Sequence, residues 1–176
     1  MNCRHPEVQA EIKKHWEITD NGPIAWFLGF QIKQDRNTKT ISINQHAYID
    51  GLLEKFQLTN AKPVSTPMDP SAQYSVDQCP STPNQTAQMG RVPYIEALGS
   101  ILWPAVVSRP DIAYAVGILS QFVQNPALVH WDALKQVIIY LGTTKNHWLT
   151  FGGTSKMLVE GYCYDTLFTF TLTLNI

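Results

Sequence analysis

Trp26-Phe27-Leu28-Gly29-Phe30-Gln31-Ile32, with Asp35-Arg36-Asn37-Thr38 and Thr40-Ile41-Ser42-Ile43 behind it, decides how this chain is read. Residues 24 to 32 are rich in aromatic and branched side chains, which predicts a mostly buried strand. Asp35 to Thr38 are turn formers. Thr40 to Ile43 then alternates polar with apolar, so the two segments are expected to pair as a β-hairpin.

Working outward, Val8, Ile12 and Trp16 fall near one helical face and predict a short amphipathic helix over 7–18, ended by Asn21-Gly22-Pro23. After the hairpin, Asn44 is the expected N-cap of a helix with Tyr48, Ile49, Leu52, Leu53 and Phe56 on its apolar face, finishing before Pro63. From Lys62 to Pro93 the composition turns to Pro, Ser, Thr, Gln and Asn, which predicts a long surface loop. Tyr94 to Val107 reads as a helix with Ile95, Leu98, Ile101 and Leu102 inward. Pro104 removes an amide donor there, so a kink or early end near Trp103 is expected. Ser108-x-x-Asp111, with Pro110 between, has the form of a capping box that opens a helix through Ile112, Val116, Leu119 and Val123. Asn125-Pro126 closes it. A last helix is expected over Leu128 to Leu141, burying Trp131, Leu134, Ile138 and Leu141 and stopped by Gly142, before a short strand at Trp148 to Phe151. The fold class is therefore α+β: a β-hairpin, a helical bundle and a C-terminal strand stub, divided as 1–62, 63–93, 94–147 and 148–176.

The 176 residues, 44% of them hydrophobic and 15% charged, suit one compact domain, or one and a fragment. No apolar run approaches the roughly 20 residues that span a bilayer, and Met1 to Pro6 lacks the apolar centre of a signal peptide. The expectation is no membrane partner and an intracellular place, cytoplasmic or nuclear. Cys3, Cys79 and Cys163 are far apart and odd in number, which reads as free thiols. A net charge of -1 counts against strong autonomous nucleic-acid binding, because such domains usually carry a basic excess.

Candidate chemistry is thin when residues are taken alone. His46, Asp50 and Glu54 recur at four-residue steps and could bind a metal, but they lie opposite an apolar face and read more simply as a solvated one. His130 and His147 flank the last helix and suit packing or capping. Gly152-Gly153-Thr154-Ser155-Lys156 lacks the spacing of a phosphate loop, and no serine sits in a Gly-x-Ser-x-Gly elbow.

Several motifs in order carry a resemblance. Trp26 to Ile32, Tyr48-Ile49 through Phe56, Lys62-Pro63-Val64-Ser65-Thr66-Pro67, Leu98-Gly99-Ser100-Ile101-Leu102-Trp103, Ser108-Arg109-Pro110-Asp111-Ile112-Ala113-Tyr114-Ala115-Val116, and His130-Trp131 through Tyr140-Leu141-Gly142-Thr143 together resemble the reverse transcriptase of copia-type LTR-retrotransposon polyproteins, over roughly residues 7 to 151. The resemblance implies the end of a palm, a primer-grip hairpin and its following helix in 1–62, a thumb-like bundle in 94–147, and an RNase H first-strand stub with a divergent tail in 148–176. The family's catalytic Tyr-x-Asp-Asp strand lies upstream of everything matched, and this chain has no such tetrapeptide. No catalytic or metal-binding residue is therefore assigned. Magnesium is expected only for the complete enzyme, whose paired carboxylates hold two metals about 3.5 to 4 Å apart.

The implied partner is primer-template nucleic acid, bound weakly, together with remaining Pol segments. The implied contacts are Trp26, Phe27, Leu28 and Gly29 in the grip, Gly99 and Trp103 on the thumb helix, and Arg109. Gly29 fits a grip because a missing Cβ lets a sugar-phosphate approach the backbone. Each has a plainer alternative: core residues of a strand for Trp26, Phe27 and Leu28, a close helix-packing site for Gly99, a cap or ion pair for Arg109. Two rival functions are a domesticated, non-catalytic helical interaction module and a transposon relic with no function. Near the end, Glu160-Gly161-Tyr162-Cys163-Tyr164-Asp165 puts the acidic position of an RNase H strand on Tyr164 or Asp165, and nothing later resembles that domain. Residues 166–174 alternate Thr with Leu or Phe, the pattern of a half-buried strand with an aggregation-prone edge.

Overall fold

The computed structural model describes residues 6–17, 19, 22–153, 158–159 and 174–175. Helix α1 (Pro6–His15) comes first, followed by strands β1 (Trp26–Phe27), β2 (Phe30–Asp35) and β3 (Thr40–Asn44). Helix α2 (His46–Lys55) leads through a 3-10 turn at Val76–Gln78 to α3 (Pro83–Met89) and α4 (Tyr94–Val107). A second 3-10 turn at Pro110–Ile112 opens α5 (Ala113–Ser120), and α6 (Leu128–Thr143) precedes β4 (Leu149–Gly152). The mixture is α+β, with one antiparallel sheet in the order β1-β2-β3-β4.

The core is helical. Ile49 and Leu52 of α2 meet Tyr94, Leu98 and Ile101 of α4, Val116 and Leu119 of α5, and Leu134, Val137, Ile138 and Leu141 of α6. A helix with an apolar stripe must cover it with another element, and here four helices cover one another. The buried Tyr94 hydroxyl donates to the Leu119 carbonyl at 2.8 Å, and burial pushes its pKa up to about 12.

Several local expectations need correction. The single strand over 24–32 is instead two strands folded back at Leu28-Gly29, with Phe27 paired to Phe30 and Trp26 to Gln31. The helix expected over 7–18 ends at His15, short of Trp16, and Ile12 on α1 and Trp16 just after it are both exposed. Asn44 closes β3 instead of capping α2, although its Oδ1 accepts the His46 amide and its Nδ2 donates to the Lys145 and His147 carbonyls. The 63–93 loop contains α3. Its start is a capping box, in which Thr82 Oγ1 accepts the Gln85 amide while Gln85 Oε1 accepts the Thr82 amide, with Pro83 in the first turn.

Helix α4 does not stop at Pro104; it continues to Val107, and Ile95 and Leu102 face outward while Tyr94, Ala97 and Pro104 join the buried side. Ser108-x-x-Asp111 forms no capping box, because Ser108 donates to the buried Gln45 side chain and Asp111 pairs with Arg109. Trp131 is only partly buried. Gly142 lies inside α6: a Cβ there would stand 2.7 Å from Leu53 Cδ1, so this glycine admits α2 rather than ending the helix. In the tail, Leu158–Val159 pairs antiparallel with Leu174–Asn175. The expectations for 160–173 lie outside the described residues.

Candidate nucleic-acid interface

The tip of the β1-β2 hairpin is a two-residue turn in which Leu28 and Gly29 both take left-handed backbone angles, φ 49° and 82°. That is the mirror-image turn whose twist matches paired strands. Gly29 enters this region freely, whereas a leucine does so at a cost of roughly 1–2 kcal/mol. The side chain that bears the strain is 72% exposed. Strain held at an exposed apolar tip is the kind of local cost that functional surfaces carry.

Paired residues of an antiparallel ladder share a face and neighbours alternate. Phe27 therefore lies on the same face as Phe30, and Trp26 lies on the other with Gln31 and Lys33. The second face carries aromatic, polar and both charged types, with Asp35 beside Lys33: Lys33 Nζ stands 3.9 Å over the Trp148 ring, and the Ser42 and Thr150 hydroxyls, in register with Lys33, bond at 2.8 Å. Trp26, Phe27 and Leu28 are all exposed, so they are not the core residues that a buried strand would have made them.

Helix α4 supplies the other half. Gly99 and Trp103, one turn apart, share a side of the helix. A Cβ on Gly99 would meet nothing within 4 Å, so Gly99 is open backbone and not a packing contact. Trp103 is 45% exposed, and its ring leans on Phe30 with centroids 5.7 Å apart and planes at 41°. Phe30, itself buried, thus joins the Phe27 face of the hairpin to the Gly99–Trp103 face of α4. Trp26 is not brought to that junction.

Arg109 lies elsewhere in kind. It is 4% exposed, and its guanidinium donates to Asp111 through Nε at 3.0 Å and Nη2 at 2.7 Å, and to the Thr144 hydroxyl and carbonyl at the end of α6. Burial works to raise the Asp111 pKa, but hydrogen bonds from Arg109 and Tyr140 outweigh it and hold the carboxyl below its ordinary range. Of its two readings, the geometry is that of the ion pair. Asp50, in the His46-Asp50-Glu54 stripe, is half-buried and paired with Lys145 at 2.7 Å, which ties α2 to the segment after α6. No group of three His, Cys, Asp or Glu side chains gathers to hold a metal among the described residues, and no helix there is long and apolar enough to cross a membrane.

The sequence reading missed Phe30 as the joint. The available signal was its place directly after Gly29, where a two-residue turn makes it the partner of Phe27.

Residues 4–70 match the family described as reverse transcriptase (RNA-dependent DNA polymerase). The chain is 38% identical over 156 residues to the retrovirus-related Pol polyprotein from transposon TNT 1-94 of Nicotiana tabacum, covering 89% of this chain and 12% of that protein. It is 35% identical over 151 residues to the Pol polyprotein from transposon RE1 of Arabidopsis thaliana, covering 86% and 10%. A shorter match, 49% identical over 72 residues, joins 40% of this chain to 51% of a secreted RxLR effector protein of Plasmopara viticola. The chain thus spans about a tenth of the length of the Pol polyproteins it matches. No solved structure matches it.

Proposed function

Since the chain belongs to the copia-type Pol polyproteins, over their reverse-transcriptase region, we propose that its hairpin and α4 form one surface that positions a primer-template duplex for an RNA-directed DNA polymerase. One observation carries the reading: the Phe30–Trp103 contact sets the strained, exposed tip at Leu28-Gly29 beside an open helix face at Gly99 and Trp103. Open backbone lets a sugar-phosphate come close, and an exposed ring offers contact to sugars or bases without reading sequence. Trp26, on the opposite hairpin face with Lys33 and Trp148, is a second contact rather than part of the same one. Arg109 acts from inside, bracing the start of α5 against the end of α6.

Polymerisation by this chain is not proposed. The carboxylate pair that would hold magnesium in the complete enzyme is supplied by the family's Tyr-x-Asp-Asp strand, which this sequence does not contain. The remaining Pol segments are the proposed partner that completes the site. With a net charge of -1, duplex binding is weak, indifferent to sequence and steeply salt-dependent. The test is fluorescence anisotropy of a labelled primer-template at rising salt. Affinity that falls with salt and with Trp103→Ala, in protein that stays folded, supports the reading. Binding that survives Trp103→Ala and Phe27→Ala together overturns it and favours a protein-interaction module. The isolated chain is expected to extend no primer with magnesium or manganese; extension that is lost on mutating one of its own acidic residues would overturn that expectation.

A further inference from the structure

In an α-helix the carbonyl of each residue accepts the amide four residues on. Pro104 holds that position for Ser100 and has no N–H, and its ring crowds the carbonyl it should have served. Yet α4 runs through to Val107. The Ser100 carbonyl is not left empty, because the Tyr48 hydroxyl reaches across from α2 and donates to it at 2.9 Å. A side chain from another helix stands in for the amide that proline removed.

The same two helices are tied again nearby, where Lys55 Nζ meets Glu96 Oε1 at 2.7 Å; within α4 itself the Ser100 hydroxyl donates to the Glu96 carbonyl at 2.8 Å. Tyr48 and Lys55 are two turns apart on α2, so α4 is held at two heights. Ser100 and Pro104 directly follow Gly99 and Trp103, the residues of the open face. Pro104 is buried on the core side. Any change in how α4 bends at Pro104 therefore swings Trp103 relative to Phe30.

We propose that Tyr48 is a positioning residue: its hydroxyl replaces the missing Pro104 amide at the Ser100 carbonyl and so fixes the Gly99–Trp103 face against the hairpin. The functional side of this rests on the duplex-positioning reading of that face. The structural side stands without it.

The test compares four full-length proteins: the parent, Tyr48→Phe, Pro104→Ala and the double variant. Pro104→Ala restores a backbone donor to Ser100, so it should make the Tyr48 hydroxyl dispensable. In two-dimensional amide spectra, with the Trp103 indole assigned by its loss in Trp103→Phe, Tyr48→Phe is expected to move the Trp103 indole and Gly99 amide resonances. In the Pro104→Ala background the same change moves them little. Duplex affinity follows: weaker for Tyr48→Phe alone, by at most about fivefold, the limit reached if the full worth of one hydrogen bond goes into holding that face, and essentially unchanged when Tyr48→Phe is added to Pro104→Ala. Equal shifts in both backgrounds would show that the hydroxyl does not replace the amide. A lowered unfolding midpoint with Trp103 and Gly99 unmoved would make Tyr48 merely structural. If the parent binds no duplex, the proposed function fails while the resonance cycle still decides the role of Tyr48.

Discussion

The Phe30 ring lies 5.7 Å from the Trp103 ring, and among the described residues it is the aromatic pair that joins the sheet to the helical bundle. The hairpin is otherwise open to solvent at Trp26, Phe27 and Leu28. The covered Phe30 ring is what sets the hairpin directly against α4, while the ladder to β3 and β4 holds the sheet as a whole. Phe30→Ala is expected to cost about 3 kcal/mol, the low end for emptying a phenylalanine site because this one lies at the margin of the core. Urea unfolding measures that cost. Duplex affinity should fall with it although Phe30 touches no ligand, whereas unchanged affinity would show that the hairpin and α4 work separately.

Leu28 carries strain at the exposed tip, and Asn is the residue best suited to its backbone angles. Leu28→Asn is expected to raise stability by about 1 kcal/mol while weakening duplex binding. A gain in both would mean that the apolar tip has no role in contact.

Arg109 and Asp111 hold the junction of α5 with the end of α6. Arg109→Ala is expected to cost about 3 kcal/mol, since it leaves a carboxylate without its partner, moderated by the water that reaches Asp111. The Asp111 pKa lies below 3.8 in the folded chain, so its contribution is present above that value and is lost as pH falls through the lower folded pKa. The acid limb of the stability curve should shrink in Arg109→Ala. An identical acid limb would place the effect elsewhere.

His130 is fully buried and stacks on Phe122 with centroids 3.9 Å apart. Its Nδ1 accepts the Ala127 amide at 2.9 Å, which makes that nitrogen the unprotonated one. Burial lowers its pKa from 6.5. The unfolded chain therefore takes up a proton at His130 before the folded one does, and stability is full above 6.5 and declines as pH falls below it. His130→Gln keeps an acceptor for the helix start but does not titrate. Denaturant unfolding between about pH 5 and 8, the range in which histidine changes charge, should show a smaller acid-side decline in that variant, at lower overall stability. An unchanged slope would contradict the assignment.

How much of this was legible varied with the physics. The helices α2, α4 and α6 were legible as helices, because their apolar residues recur at helical spacing, but the buried face of α4 was only half right, since Ile95 and Leu102 turn outward. The hairpin at Leu28-Gly29 was not, because a leucine at a left-handed position breaks the usual turn signature and the aromatic run imitates a single strand. Helix α3 was missed, because the polar composition around Thr82-x-x-Gln85 hid the capping box that starts it. Pro104 misled because helix interruption is a local rule, and the donor that offsets it comes from Tyr48, 52 positions before the Ser100 carbonyl it serves. At the site, the open state of Gly99 and the enclosed state of Arg109 depend on neighbours that spacing alone does not name.

The most direct measurement attaches a photo-crosslinker at three single-cysteine positions, Leu28→Cys, Gly99→Cys and Val76→Cys, in a background whose native cysteines are replaced by serine. Each is irradiated with the same short primer-template at low salt. Leu28 and Gly99 flank the Phe30–Trp103 joint, while Val76 is an equally exposed position on a separate turn. Crosslinks to the duplex from both 28 and 99, competed by unlabelled duplex and nearly absent from 76, are the expected result. Equal crosslinking from all three, or from only one of 28 and 99, would contradict a single duplex-positioning surface built from the hairpin and α4.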